Sequence, residues 1–375
     1  MKPSSLSYKL IYLESDGLLD MYDESYLRYP TVRKALLYES KRNDAVQCNL
    51  CERRCNIPRG GSGFCKTRVN VNGVLYTLVY GDLNAIESRP IEIKPFFHFW
   101  PGSTALTFST WSCNFNCPWC QNWHLSKQPP NPRTAFFVSP EKIVKKALSS
   151  RDDGLCVSFT EPTMLFEFSV DAFKLASKFS LYNTYVSNGY MSFEALKILK
   201  DSGLNGLKID IKGDDEVYKK YCGGLDVEYV WRNAREAKQM GIHVEMVNLL
   251  ISGVNDDEEC IRWIIERHLK EVGPDTPIHF TRYYPAYKFH NPPTKIEKLE
   301  FAYNLAKKLG VNYPYIGNVP GHSYENTYCP ECGELLIKRY GYTVIDYRVT
   351  SDSRCPRCGR HIPITGKYIK KRRFI

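Results

Sequence analysis

The sequence predicts an α/β protein, with six strand–helix repeats in the middle of the chain and a small cysteine module on either side. Three observations carry this. From Thr104 onward, short apolar runs alternate with helical patterns of roughly 10–15 residues, the signature of βαβ units and a parallel sheet. Cys48, Cys51, Cys55 and Cys65 follow C-x2-C-x3-C-x9-C, a spacing of metal-ligand type. Cys329, Cys332, Cys355 and Cys358 form two C-x2-C turns separated by 22 residues, each followed by Gly, as in zinc ribbons and rubredoxins. The expected division is therefore 1–100, 101–322 and 323–375.

Taken in order, residues 1–45 are mixed polar and aromatic, with one or two helices expected around Val32–Ser40. Residues 46–70 make the first cysteine module, and residues 71–100 alternate enough for short strands, as in Val74–Tyr80. Strands are expected at Thr104–Thr110, Cys156–Thr160, Asn183–Ser187, Gly206–Ile211, His243–Ile251 and Pro277–Tyr284. Helical patterns follow them, beginning at Ser139, whose side chain suits an N-cap with Pro140 at the first helical position. The others run through Lys178 and over Phe193–Asp201, Val227–Met240, Asp256–Lys270 and Lys295–Leu309. Six repeats fit a partial (β/α)6 barrel, and a doubly wound open sheet would give nearly the same pattern.

The composition is that of an ordinary globular protein, 43% hydrophobic and 25% charged over 375 residues. No stretch approaches 18 apolar residues and Met1–Ser7 lacks a signal-peptide apolar region, so no membrane contact and a cytoplasmic location are expected. Of 14 cysteines, 11 sit in close clusters, which a reducing compartment keeps available as thiolates. The net charge of +10 suits RNA or an acidic partner, but part of it lies in the tail Lys367–Ile375, which reads equally as a solvated end.

The most informative run is Ser109–Trp123, where Cys113, Cys117 and Cys120 are spaced C-x3-C-x2-C. A closed zinc or cubane site takes four protein ligands. Three thiolates can hold three irons of a [4Fe–4S] cluster and leave the fourth open; the bland alternative is a zinc loop whose fourth ligand lies elsewhere. The spacing resembles the radical S-adenosylmethionine (SAM) superfamily. The order of Cys48–Cys55, Gly63–Arg68, Arg89–Phe99, the cluster loop and Tyr315–Gly321 resembles one branch of it, the AmmeMemoRadiSam-system radical SAM enzymes, related to pyruvate formate-lyase activating enzymes.

That resemblance implies the barrel rather than the open sheet. It also implies SAM chelated to the open iron, reductive cleavage to a 5′-deoxyadenosyl radical, and an electron donor of ferredoxin or flavodoxin type. SAM contacts are then expected where strands end. The second strand ends in Ser158–Thr163, where Thr160, Glu161 and Pro162 match the commoner Gly-Gly-Glu-Pro, with Phe159 and Thr160 in place of the glycines. Ser187 and Asn188 end the third strand, and Asp210 and Lys212, two apart and so on one face, end the fourth. Trp119 is expected beside the adenine, or as a shield for the cluster.

Asn248, His279, Arg282 and Tyr284 are candidates for the pocket floor or substrate side, or else satisfied core groups. Cys222 reads as a relay or a core thiol, and Cys156 and Cys260 as buried thiols. The C-terminal four-cysteine site takes zinc or a lone iron, and the N-terminal one a structural zinc or an auxiliary Fe–S cluster. The substrate losing hydrogen is a partner protein, an RNA nucleotide, or a small molecule or lipid. A non-enzymatic reading, an RNA- or partner-binding protein stapled by metals, leaves the strand-end residues unexplained.

Overall fold

The computed structural model describes residues 22–224 and 226–370, so the end of the basic tail lies outside the described residues. Among the described residues the largest sheet has eight strands. Seven are parallel: β1 (Thr104–Ser109), β2 (Gly154–Val157), β3 (Tyr182–Ser187), β4 (Gly206–Ile211), β5 (His243–Leu250), β6 (Ile278–Arg282) and β7 (Pro314–Gly317). The eighth, Asn84–Pro90, pairs antiparallel with β1 at one edge. Between the parallel strands lie α1 (Pro140–Ser149), α2 (Phe166–Ser177), α3 (Phe193–Asp201), α4 (Glu228–Gln239), α5 (Glu258–Glu271) and α6 (Ile296–Leu309). The Ser139 side chain accepts the Lys142 N–H at 3.4 Å, so α1 starts where its cap predicts.

The strand order decides between the two architectures. A doubly wound sheet reverses its order at a switch point. Here β1 to β7 are neighbours in sequence order throughout, all parallel. Crossovers of one hand then put every helix on the same face, and successive helices from α1 to α6 do touch one another. The sheet curls into a partial barrel. Its two edges, β7 and Asn84–Pro90, do not pair with each other.

Three expectations need correcting. Six strands were expected and β7 makes a seventh; four residues are too few to register as periodicity. The second strand was expected to run to Thr160, but β2 stops at Val157 and the chain bends, with Phe159 at φ 68°. The stretch Val32–Ser40 is not helical. Arg33–Lys34 pairs with Thr77 and Tyr76, and Tyr38–Ser40 pairs with Val46–Cys48, because the cysteine module supplies strand partners that outweigh a weak helical tendency.

Alternation along each strand sorts the two faces. Leu207, Ile209 and Ile211 of β4 join the helix-side core with Leu196, Trp231 and Phe280, while Lys208 and Asp210 face the lumen in register with Glu245 and Val247. The segment from Ile91 to Trp100 closes the bottom. Ile91, Phe96 and Phe99 pack on Ala105, Cys156 and Tyr182, and Phe97 packs on Tyr315 and on Cys329 and Leu336 of the C-terminal module. Glycine is required on this floor: a Cβ at Gly154 would stand 2.1 Å from the Tyr182 ring.

Candidate active site

The loop carrying Cys113, Cys117 and Cys120 leaves the C-terminal end of β1, the end at which α/β barrels hold their chemistry. Several contacts fix its course. Ser112 donates to the Cys65 carbonyl at 2.5 Å, Lys127 to that of Phe115 at 3.0 Å, and the Lys288 N–H to that of Pro118 at 3.0 Å. The Phe115 N–H donates to Cys113 Sγ at 3.3 Å, and Cys120 Sγ lies 3.1 Å from Ser126 Oγ. Cys222 stands 3.9 Å from Cys117 Sγ, and this contact leads the causes that push the Cys117 thiol down to about 7.

Do these residues suit a cluster? Among the described residues, only Cys329, Cys332, Cys355 and Cys358 bring three or more ligating atoms within 4.8 Å of one another. Cys113, Cys117 and Cys120 are spread more widely than a single ion would hold them. Asn114, beside them, turns its Oδ1 toward Cys113 Sγ at 3.8 Å. Spread thiols fit a cluster, in which each ligated iron carries its own cysteine.

The expected strand-end residues gather around this loop. Glu161 is fully used: its carboxylate accepts from Ser187 Oγ and the Asn188 N–H, each at 2.8 Å, and from the Thr163 N–H at 3.2 Å. Burial pushes its carboxyl up, against those hydrogen bonds. Glu161 thus ties the end of β2 to the end of β3. Thr160 bonds to Ser109 Oγ at 2.9 Å, and Pro162 opens a 3-10 turn capped by Glu161. Asn188 Nδ2 donates to Asn114 Oδ1 at 2.7 Å and approaches Cys113 Sγ at 3.9 Å. Phe159 takes the left-handed conformation a glycine would hold, and its carbonyl accepts from Asn122 at 2.8 Å.

On β4 and just beyond, Asp210 lies between two ammonium groups: Lys212 at 3.0 Å and Lys208, in direct contact. Burial raises the Asp210 carboxyl, but the two lysines outweigh it and hold it at about 2. Burial lowers Lys208, whereas Asp210 holds Lys212 up. The sequence reading missed Lys208, although it sits two residues before Asp210 and alternation would have found it. It also missed Lys94, which rises from the floor with its Nζ 4.0 Å from the centre of the Phe159 ring. Lys94 is 5% exposed and has no hydrogen-bond acceptor or ion-pair partner among the described residues, and burial lowers its pKa.

Other candidates stand elsewhere. The Trp119 ring is buried against Tyr221 and Phe289, a position that shields the loop. Asn248 shares the helix-side face with Ile211 and Phe280 and donates to the Ile211 carbonyl at 2.9 Å. His279 is buried in the floor, bonded to Glu245 at 2.7 Å. Arg282 donates to the Thr294 carbonyl, and with Glu258 and Lys295 it lines an open groove outside the barrel; Tyr284 is half exposed.

The four C-terminal cysteines form paired knuckles. Cys329 Sγ lies 3.5 Å from Cys358 and Cys332 Sγ 3.6 Å from Cys355, close to the roughly 3.8 Å edge of a tetrahedron with Zn–S of about 2.3 Å. The N–H groups of Cys329 and Cys355 each bond to a carbonyl five residues on, at 2.8 Å. Cys48, Cys51, Cys55 and Cys65 line a narrow cavity with Arg53, Arg68 and Asn114. No described helix is long and apolar enough to cross a membrane.

Comparison with known proteins agrees with this geometry. The chain is 42% identical over 336 residues to the uncharacterized protein MJ0808 of Methanocaldococcus jannaschii, covering 89% of this chain and 99% of that one. It is 25% identical over 157 residues to a probable GTP 3′,8-cyclase of Pyrobaculum aerophilum, covering 41% and 50% of the two chains. Among solved structures, a domain of a pyruvate-formate lyase-activating enzyme from Bacteroides vulgatus aligns at 21% identity and TM-score 0.39, over 44% of this chain and 99% of that domain. Residues 109–264 match the sequence family described as the Radical SAM superfamily, a span that holds the cysteine loop and the ends of β2, β3 and β4. Cluster loop, strand ends and family match coincide, and the chain belongs to the radical SAM superfamily of enzymes.

Proposed function

We propose that Cys113, Cys117 and Cys120 hold a site-differentiated [4Fe–4S] cluster, that SAM lies across the ends of β2, β3 and β4, and that hydrogen is taken from a partner protein. The convergence of the cysteine loop with Glu161, Asn188 and the Lys208–Asp210–Lys212 triad carries the reading. Bound together, cluster and SAM supply a reductive cleavage of the sulfonium to a 5′-deoxyadenosyl radical. The chain's own residues orient and charge the pocket. Asp210 and Lys212 offer one site for an ammonium and one for a carboxylate, the two charges of a methionine moiety. Asn188 braces the loop, and Trp119, Tyr221 and Phe289 keep water from its outer side.

A protein substrate is supported by the branch resemblance. Reduced with dithionite without oxygen, the native protein should form 5′-deoxyadenosine and the Cys113→Ala/Cys117→Ala/Cys120→Ala variant should form none. Product from that variant would end the assignment. Intact cell extract should raise SAM turnover and protease-treated extract should not; stimulation lost to ribonuclease instead would transfer the substrate to RNA.

A further inference from the structure

The two four-cysteine sites differ in a measurable way. The C-terminal sulfurs lie in contact, as one tetrahedral ion requires. Cys48, Cys51, Cys55 and Cys65 share one cavity, yet no three of them lie mutually within 4.8 Å. One ion cannot bond to four sulfurs so far apart. A cluster, in which each ligated iron carries its own cysteine, can.

The cavity wall gives a second, independent observation. Arg53 Nη2, Arg68 Nε and Asn114 Nδ2 are buried without acceptors, and all three residues line this cavity. Orphaned buried donors are costly, and three on one small wall point to an acceptor that belongs there. Anionic sulfur accepts from such groups. Arg68 is paired with Glu167 at 2.7 Å, but Arg53 has no acidic partner among the described residues and lies 3.6 Å from the centre of the Phe64 ring. Its free positive charge suits a negatively charged occupant.

We infer that Cys48, Cys51, Cys55 and Cys65 hold an Fe–S cluster, and that it passes electrons to the cluster at Cys113, Cys117 and Cys120; the relay, though not the cluster itself, rests on the function proposed above. One residue joins the two sites. Asn114 lines the N-terminal cavity together with Cys51, and has its Oδ1 3.8 Å from Cys113 Sγ. Arg53 clamps the Asn114 carbonyl at 2.5 Å, and Ser112 holds that of Cys65. On the outer side Phe64, 44% exposed, carries the cavity wall to the surface. One electron enters from a low-potential one-electron carrier of the ferredoxin or flavodoxin class, which is oxidised. The N-terminal cluster is reduced and then reoxidised as the second cluster gains the electron; no bond forms or breaks.

Iron and acid-labile sulfide in the full-length Cys113→Ala/Cys117→Ala/Cys120→Ala variant test the cluster independently of SAM chemistry. The expected result is sulfide for one remaining cluster and an electron-spin signal on reduction. Zinc without sulfide would overturn the inference, and a lone C-terminal iron cannot mimic it because such iron binds no sulfide. For the relay, Cys51→Ser/Cys65→Ser should slow reduction of the remaining cluster by a flavodoxin-class donor at least tenfold. An unchanged rate overturns the relay. Should that variant fold poorly, Arg53→Gln removes a charge without touching a ligand. It should shift the N-terminal cluster's midpoint potential downward, and an unmoved potential would count against its site.

Discussion

The mouth and the floor of the barrel are built from the same strands, carry the same kinds of polar residue, and treat them oppositely. At the floor one carboxylate gathers most of the polar groups, although Arg339 Nε and the Tyr313 hydroxyl are buried there without partners. Glu245 accepts from the His98 N–H at 2.8 Å, from His243 at 3.0 Å and from His279 at 2.7 Å. His98 bonds in turn to Tyr315 at 2.7 Å, and Arg339 covers Phe97 while donating to its carbonyl at 2.8 Å. At the mouth Lys94 has no acceptor, Asn114 Nδ2 has none, and two lysines share one aspartate. A completed polar network rigidifies, whereas an incomplete one awaits a ligand. The two ends differ in charge balance: one carboxylate gathers three donors at the floor, and two ammonium groups share one carboxylate at the mouth.

The sharpest way to break this contrast is at the floor. Glu245→Ala strands two histidines and an N–H together, and should cost about 3–5 kcal/mol of stability, the usual penalty for breaking a buried charged pair. Urea unfolding measures it; a loss under 1 kcal/mol would mean that the floor is not a closed network. At the mouth, Asp210→Asn should weaken SAM binding by roughly ten- to a hundredfold, equivalent to about 1.5–3 kcal/mol for one charged hydrogen bond. Calorimetry showing affinity within twofold of native would remove Asp210 from the pocket.

Acid gives a third, smaller effect. Because Asp210 is held at about 2 when folded, below its unfolded value, its contribution is complete above roughly pH 4 and fades as pH falls toward 2. Unfolding free energies at pH 5 and 3 should differ less in Asp210→Asn than in the native protein, and equal slopes would contradict the triad. The smallest effect has the opposite sign. Lys94→Met removes a buried ammonium whose contact is the Phe159 ring and not an anion, and should raise stability by about 1 kcal/mol. A fall in Tm would show that the contact with the Phe159 ring outweighs the cost of burying the ammonium.

How far all this could be read in advance follows from distance along the chain. Cys113, Cys117 and Cys120 lie within one loop, and Asp210 and Lys212 within one strand end, so spacing and alternation reveal them. The helix cap at Ser139 is equally local. The plug from Ile91 to Trp100 is different. Nothing in its own pattern says that three of its phenylalanines fill the bottom of a barrel whose strands reach as far along the chain as Tyr315. Lys94 was missed for the same reason.

By itself the sequence determined the cysteine spacings and the alternation of strands and helices from Thr104 to Leu309, because each depends on neighbours a few positions away. Only the tertiary structure decided that the sheet curls with its strands in unbroken order, that His279 and Asn248 bond away from the pocket while Lys94 reaches the Phe159 ring, and that the N-terminal sulfurs stand apart while the C-terminal ones touch. Those outcomes depend on which distant surfaces meet, and the free energy of a buried charge or thiol is set by what surrounds it there.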